Sequence, residues 1–258
     1  MVFWDRVTLK TRAKSVLKKT YWMTLLTLFV ASLLGANSDN SGPAQLLSVI
    51  FVSIPTSLAA MYEDAVAFIA VGAFFVITLF IILFSAGYAI FIGSPIIVGK
   101  CRYLSACRYG RVDIGDLFSA FKKGNYMSIV KTMFMKDLYV FLWSLLFIIP
   151  GIIKTYEYKM VPYILAENPG ISRERAFEIS KNTTYGEKWE MFVLDLSFIG
   201  WILLGMVACC GIGVFFLSPY IEATQAELYG ALRNKAVVNG FCSPDEIGSE
   251  LFSETTQF

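Results

Sequence analysis

Long stretches without a charged residue are the feature that most limits how this chain can fold. The longest covers residues 65–99, which is 35 consecutive positions without Asp, Glu, Lys or Arg. A helix needs only about 20 apolar residues to cross the hydrocarbon core of a bilayer. Further apolar stretches centre on residues 21–36, 138–149 and 214–221. The pattern predicts an all-α fold, a polytopic transmembrane helical bundle.

The composition agrees with a lipid environment and excludes several kinds of site. Charged residues make up 16% of the chain and hydrophobic residues 56%, whereas a soluble domain carries about 25% charged residues. A net charge of +2 gives no support for nucleic-acid binding. There is no histidine, which removes the commonest general base and metal ligand. We expect the five cysteines to be free thiols or apolar fillers, with reversible acylation of Cys101 or Cys107 as an alternative.

The distribution of basic residues predicts the orientation. Residues 1–19 hold six basic residues and residues 100–136 hold eight, whereas residues 39–64 hold three acids and no base. By the positive-inside rule the two basic segments lie in the cytoplasm and the acidic one lies outside. Within the acidic segment, residues 44–61 are expected to re-enter the membrane or lie on it. One integral membrane domain, residues 1–235, then crosses the inner membrane about six times with both termini in the cytoplasm, at about 21–36, 65–92, 126–149, 152–167, 189–208 and 214–232.

Short amphipathic helices are predicted before the membrane hairpins. Apolar residues recur at helical spacing in residues 4–19, 113–124 and 171–184, which is typical of helices lying in the headgroup layer. The plan of amphipathic helix followed by hairpin occurs three times. It indicates either a threefold internal repeat or a feature common to polytopic proteins. Residues 236–258 carry four acids and are predicted to be a disordered cytoplasmic tail.

Ionisable residues inside the predicted spans are the candidate functional positions, because a charge in lipid is costly unless it faces protein or water. They could line a polar pathway or bind a polar headgroup. Alternatively they pair with one another as packing contacts, with Asp195 or Glu222 bound to Lys154, Lys159 or a tyrosine. Helix breaks at Pro150-Gly151 and Pro219 could similarly line a cavity or only end a span. The candidates are Asp195, Glu222, Glu157, Lys159 and Lys154.

Four segments together resemble a known family. The stretch LWSLLFIIPGIIKTYEYKMVPYILAENPGIS is followed by SFIGWILLG and GIGVFFLSPYIEATQAELYGAL, and VDIGDLFSAF precedes all three. They resemble an uncharacterised bacterial integral membrane family known as a domain of unknown function (DUF975 type). The resemblance covers about residues 10–232, and the segment 39–64 is longer than the family's usual connection. The family is distantly similar to the membrane domain of some glycerophosphodiester phosphodiesterases. The resemblance implies no activity, cofactor or catalytic residue.

Three functions remain open. The favoured hypothesis is a non-catalytic membrane interaction or assembly factor that needs no cofactor or metal. Its expected partners are membrane lipids, with other proteins or a second copy of the chain also possible, and no nucleic acid. The alternatives are a transporter or conduit for a small or lipidic solute, and a membrane-embedded lipid-modifying enzyme.

Overall fold

The computed structural model describes residues 4–34, 65–122, 124–208 and 212–247. The predicted segment 44–61 lies outside these ranges. Within them the chain is all-helical and no strand occurs, so the predicted all-α class is confirmed. The helices are α1 (Arg6–Leu33), α2 (Ala65–Tyr88), a π turn (Ala89–Gly93), α3 (Ser94–Cys107), a 3-10 turn (Ile114–Phe118), α4 (Ser119–Lys122), α5 (Tyr126–Leu146), α6 (Ile148–Glu157), α7 (Val161–Glu167), α8 (Arg173–Thr184), α9 (Lys188–Ala208) and α10 (Ile212–Val238).

Helix α1 joins the predicted amphipathic segment and the first predicted span into one element. The Asp5 carboxylate caps its first turn by accepting from the Thr8 amide at 3.3 Å. Leu9, Ala13 and Leu17 follow at i, i+4 and i+8, and all three are buried. These three residues of the predicted apolar stripe therefore face the core.

The second predicted span, 65–92, is part of a longer helical rod formed by α2, the π turn and α3. The helical backbone continues past Gly93 and Pro95. Proline lacks an amide donor, and a π turn loosens the local hydrogen-bond ladder at that point. The α3 half of the rod is buried almost throughout, whereas α2 projects from the body with most of its described side chains exposed.

The third and fourth predicted spans differ from the structure. Helix α5 ends at Leu146, because Phe147 adopts an extended conformation with φ −155° and ψ 144°. Pro150 then lies in the first turn of α6, where the absence of an amide donor costs little. The predicted span 152–167 is not one helix but parts of α6 and α7, separated by a turn at residues 158–160.

Three helices that each contain a proline, α3, α7 and α10, meet at the centre. Tyr163 of α7 stacks on Tyr229 of α10 with ring centroids 4.8 Å apart, and Ile96, Ile164 and Ala226 are buried. All three helices share one sequence pattern. A small residue lies four positions after the proline, and a buried polar residue lies five positions after it. The sets are Pro95, Gly99 and Lys100 in α3, Pro162, Ala166 and Glu167 in α7, and Pro219, Ala223 and Thr224 in α10.

The beginning of the predicted disordered tail is folded. Helix α10 continues to Val238, and Cys242 and Ile247 are buried beyond it. Arg175 of α8 holds this segment through a two-pronged contact with Glu246, at 2.9 and 3.0 Å. The disorder prediction is therefore wrong for residues 236–247, because this segment has apolar and charged partners on the body. Residues 248–258 lie outside the described ranges.

Two helical stretches in the described ranges are long and apolar enough to cross a membrane, Gly72–Cys107 and Lys188–Met206. In their most apolar 18-residue windows only 6% and 17% of the residues are buried. Two such helices are consistent with association with a membrane and do not establish six crossings. Other exposed apolar surfaces lie on α1 (Trp22, Leu26, Phe29) and at the tip between α5 and α6 (Leu145, Leu146, Phe147, Ile148, Ile149).

Candidate functional site

The interior contains charged side chains, and one buried pair joins α3 to α10. Lys100 donates to Glu222 with 2.9 Å between Nζ and Oε1, and their side chains are 4% and 11% exposed. Burial of each charge is costly, and the partner offsets that cost. The prediction that Asp195 or Glu222 would pair with Lys154, Lys159 or a tyrosine did not include Lys100 as a partner. Lys154 and Lys159 contact Glu157 and Asp195.

Helix α10 carries further ion pairs along its C-terminal half. Arg108 contacts Glu227 at 3.0 Å. Glu167 of α7 accepts from the Tyr229 hydroxyl at 2.7 Å and lies 3.3 Å from Arg233. We call the resulting series the α10 ion-pair ladder. Its pairs are Lys100–Glu222, Arg108–Glu227, Arg233–Glu167 and Lys235–Glu187.

Asp195 of α9 is the centre of a separate, half-exposed cluster. Its Oδ2 accepts from the Lys159 ammonium at 2.7 Å and from the Tyr156 hydroxyl at 2.9 Å, and its Oδ1 accepts from the Gln225 amide at 2.7 Å. The Asp195 side chain is 32% exposed and that of Lys159 is 23% exposed. This arrangement agrees with the predicted packing interpretation, in which Asp195 pairs with Lys159 and a tyrosine.

Glu157 and Lys154 lie next to each other at the end of α6. The buried Glu157 carboxylate accepts from Lys154 at 2.7 Å and from Lys188 at 2.8 Å. The Ser180 hydroxyl of α8 donates to the Glu157 carbonyl at 2.7 Å. Two cations and a capped carbonyl therefore fix this residue between three helices.

Asp195 and Glu222 do not form one site. Asp195 binds groups from α6, the turn at residues 158–160 and α10, whereas Glu222 binds α3. Sequence reasoning also missed Lys100, Arg108 and Glu227. Lys100 and Glu227 could have been recognised as candidates from the sequence. Lys100 directly follows the 35-residue uncharged run, and Glu227 lies in the same apolar helix as Glu222. The positions could be found from sequence, but their pairing could not.

The buried acids are held by cations. In the part of the chain that the structure describes, the five buried glutamates, at 157, 167, 187, 222 and 227, each have a lysine or arginine partner within 4.0 Å. Among the described residues no group of three or more Cys, Asp or Glu side chains could hold a metal ion. A cavity of about 10 Å³ lies beside the ladder and is lined in part by Thr24, Cys107 and Glu227. That volume is near the minimum for one water molecule.

The family comparison falls on this part of the molecule. Residues 145–236 match the family model described as "Protein of unknown function (DUF975)". The matched segment contains Asp195, Glu157 and every acid of the ladder, and the predicted family resemblance is confirmed there. Similarity to the membrane domain of glycerophosphodiester phosphodiesterases stays a prediction. No curated protein and no solved structure matches the chain significantly.

Proposed function

We propose that this protein is a non-catalytic membrane interaction or assembly factor, embedded in the cell membrane with both termini in the cytoplasm. The observation that carries the proposal is the pairing with basic residues of the five buried glutamates that the structure describes. Ion pairs between buried side chains stabilise one arrangement of helices. They commit these carboxylates to packing contacts rather than to a solute or a reaction.

The outer surface supports the membrane part of the proposal. Large apolar side chains are exposed around several faces of α2, including Phe80, Leu83 and Phe84, and along α9, including Leu203 and Leu204. Contiguous exposed apolar surface of this kind is unfavourable in water. In a bilayer the same side chains are solvated by acyl chains.

The six-crossing topology predicted from the sequence needs one modification. Between Asp137 and Lys154 the α5–α6 hairpin has 16 uncharged residues. Its arms, residues 138–146 and 148–153, reach only about 13 and 9 Å at a rise of about 1.5 Å per residue, against a hydrocarbon core of about 30 Å. We propose that this hairpin enters the membrane without crossing it. Its two ends stay on one side, so the termini remain in the cytoplasm.

Cysteine accessibility in native membranes tests the sealed interior. In a background without the native cysteines, Ala223→Cys and Ala226→Cys should resist a water-soluble maleimide, because both positions are buried against neighbouring helices. Glu178→Cys, on the exposed side of α8, is the matched reactive control. Rapid labelling of Ala223→Cys and Ala226→Cys would contradict the proposal and favour the conduit.

The conduit has one observation in its favour. Asp195 and Lys159 are partly exposed, so a polar solute could reach the edge of that cluster. A conduit additionally requires a water-filled path from this cluster to Glu222. The enzyme hypothesis has less support, because the acids that could act as general bases are bound to basic residues.

A further inference from the structure

Two cations one helical turn apart on α1, the half-buried Lys10 and the exposed Lys14, lie against α9 and α10. Lys10 donates to the Ser197 hydroxyl at 2.7 Å, and its ammonium lies 4.5 Å from the centre of the Phe198 ring. One helical turn later, the Lys14 ammonium lies 5.7 Å from the centre of the Tyr220 ring. The two rings pack edge to face at 5.6 Å. We call Lys10 and Lys14, together with the Ser197 hydroxyl of α9 that Lys10 contacts, the α1 cation stripe.

The stripe has more positive charge than its surroundings neutralise. Asp195 lies two positions before Ser197, and Glu222 lies two positions after Tyr220. Each acid is bound to another cation, Asp195 to Lys159 and Glu222 to Lys100. Throughout residues 4–34, 65–122, 124–208 and 212–247, Lys10 and Lys14 take part in no ion pair; their contacts are a hydroxyl and aromatic rings. Burial lowers the pKa of Lys10, and the charges of Arg6 and Lys14 lower it further. An anion at this position would relieve the repulsion.

The surface beyond the stripe is apolar. On α9, Gly200, Trp201 and Leu204 lie on the same helix face as Ser197 and are exposed. No atom lies within 4 Å of the position that a Gly200 side chain would occupy, so the surface is open there. A ligand that fits has a negative charge at one end and an apolar body at the other.

We propose that the α1 cation stripe binds the phosphate of an anionic phospholipid, with its acyl chains lying along Trp201 and Leu204 of α9. The inference rests on the proposed membrane function and assigns a lipid class and a position to it. Lysine ammonium groups bind phosphate oxygens through charge-assisted hydrogen bonds. The apolar face of α9 supplies contact that a free phosphate ion could not use.

Native mass spectrometry of the full chain in detergent tests the proposal, with added phosphatidylglycerol, phosphatidylcholine or inorganic phosphate as probes. Phosphatidylglycerol should remain bound to the unmodified protein and phosphatidylcholine should not. The Lys10→Gln/Lys14→Gln variant should bind phosphatidylglycerol about tenfold more weakly or worse, and Lys10→Arg/Lys14→Arg should retain it. Arg12→Gln/Lys18→Gln is the matched control, since it removes two exposed charges from the same helix and should change binding by less than about twofold.

Each contrary result overturns the proposal. Equal losses in the two Gln variants would indicate diffuse attraction to the basic helix. Binding of inorganic phosphate in place of phosphatidylglycerol would exclude the lipid. If Lys10→Gln/Lys14→Gln does not fold, the single variant Lys14→Gln decides between the same outcomes. Extraction of membranes with alkaline carbonate distinguishes failure of the lipid site from failure of the proposed membrane function. A chain that resists extraction but retains no lipid contradicts only the site, whereas a chain released by carbonate contradicts the membrane function.

Discussion

At the residue scale, the buried pair Lys100–Glu222 is the clearest example of a charge that depends on its partner. Each side chain is at least 89% buried, and neither could keep its charge at that depth alone without a large energetic cost. The same holds for Glu167, whose Oε2 accepts from the Tyr229 hydroxyl and lies 3.3 Å from Arg233. These contacts fix how α3, α7 and α10 cross.

We predict strong non-additivity for this pair. Lys100→Met alone and Glu222→Gln alone should each lower the free energy of unfolding by about 3–5 kcal/mol, because each removes the 2.9 Å contact between two buried opposite charges and leaves the other charge in place. The double variant Lys100→Met/Glu222→Gln should lose clearly less than the sum of the two single losses. Thermal and denaturant unfolding of the four proteins in detergent measures the cycle.

An exposed pair provides the control for that cycle. Arg173 and Glu174 are 40% and 72% exposed, so Arg173→Gln should change stability by less than about 1 kcal/mol. Additive losses at Lys100 and Glu222 would mean that the two charges do not depend on each other.

At the scale of elements, close contact between the 3-10 turn and α3 depends on a glycine. A Cβ at Gly99 would overlap the backbone carbonyl of Leu117, which cannot rotate away as a side chain could. This contact holds the amphipathic segment 114–122 against the rod rather than leaving it free on the membrane surface.

We therefore expect Gly99→Ala to destabilise the protein by about 1–3 kcal/mol through overpacking. Gly87→Ala is the matched substitution in the same rod, because nothing lies within 4 Å of its added methyl group. It should be neutral or stabilising by up to about 1 kcal/mol, since alanine favours helix. Unfolding midpoints of both variants measure the contrast, and equal effects would argue against the contact with Leu117.

The α5–α6 hairpin gives a second prediction at this scale. Ile148 lies at its tip with 77% of its surface exposed, and in the proposed topology the short arms would keep that tip inside the hydrocarbon core. Ile148→Cys, without the native cysteines, should resist an impermeant maleimide applied to either side of the membrane. It should react after solubilisation in detergent. Labelling of intact cells from outside would show that the hairpin crosses completely.

At the scale of the whole molecule, the C-terminal segment is held to α8 by a contact that titrates. The hydrogen bond from Arg175 holds the pKa of Glu246 below its ordinary value. A carboxylate with a depressed pKa contributes stability that is complete above its unfolded pKa and is lost as the pH falls through its folded value. The segment 239–247 should therefore stay docked at neutral pH and loosen only in acid.

Hydrogen exchange, corrected for the intrinsic effect of pH, measures this loosening. Protection of residues 239–247 should be constant from pH 7 to about pH 5 and should fall below about pH 4. Glu246→Gln should already show reduced protection at pH 7, with little further change on acidification. Protection that is equal in the two proteins at every pH would exclude Glu246 as the titrating contact.

The sequence by itself determined the class of the fold and the kind of surface it exposes. Uncharged runs and the spacing of Leu9, Ala13 and Leu17 are local patterns. When such a segment forms a helix, its apolar residues lie on one face. The family resemblance was likewise readable from the order of a few segments. Pro150-Gly151 marked a break near its true position at Phe147, because proline restricts the backbone locally.

Only the tertiary structure decided which charges meet. Lys100 and Glu222 are 122 positions apart, and no local pattern specifies which of many bases will face a given acid once the helices cross. The same holds for the division of residues 152–167 into two helices and for the docking of Glu246 on Arg175. Helical periodicity is a property of a few consecutive residues, whereas ion pairing depends on crossing angles that the packing of the whole bundle sets.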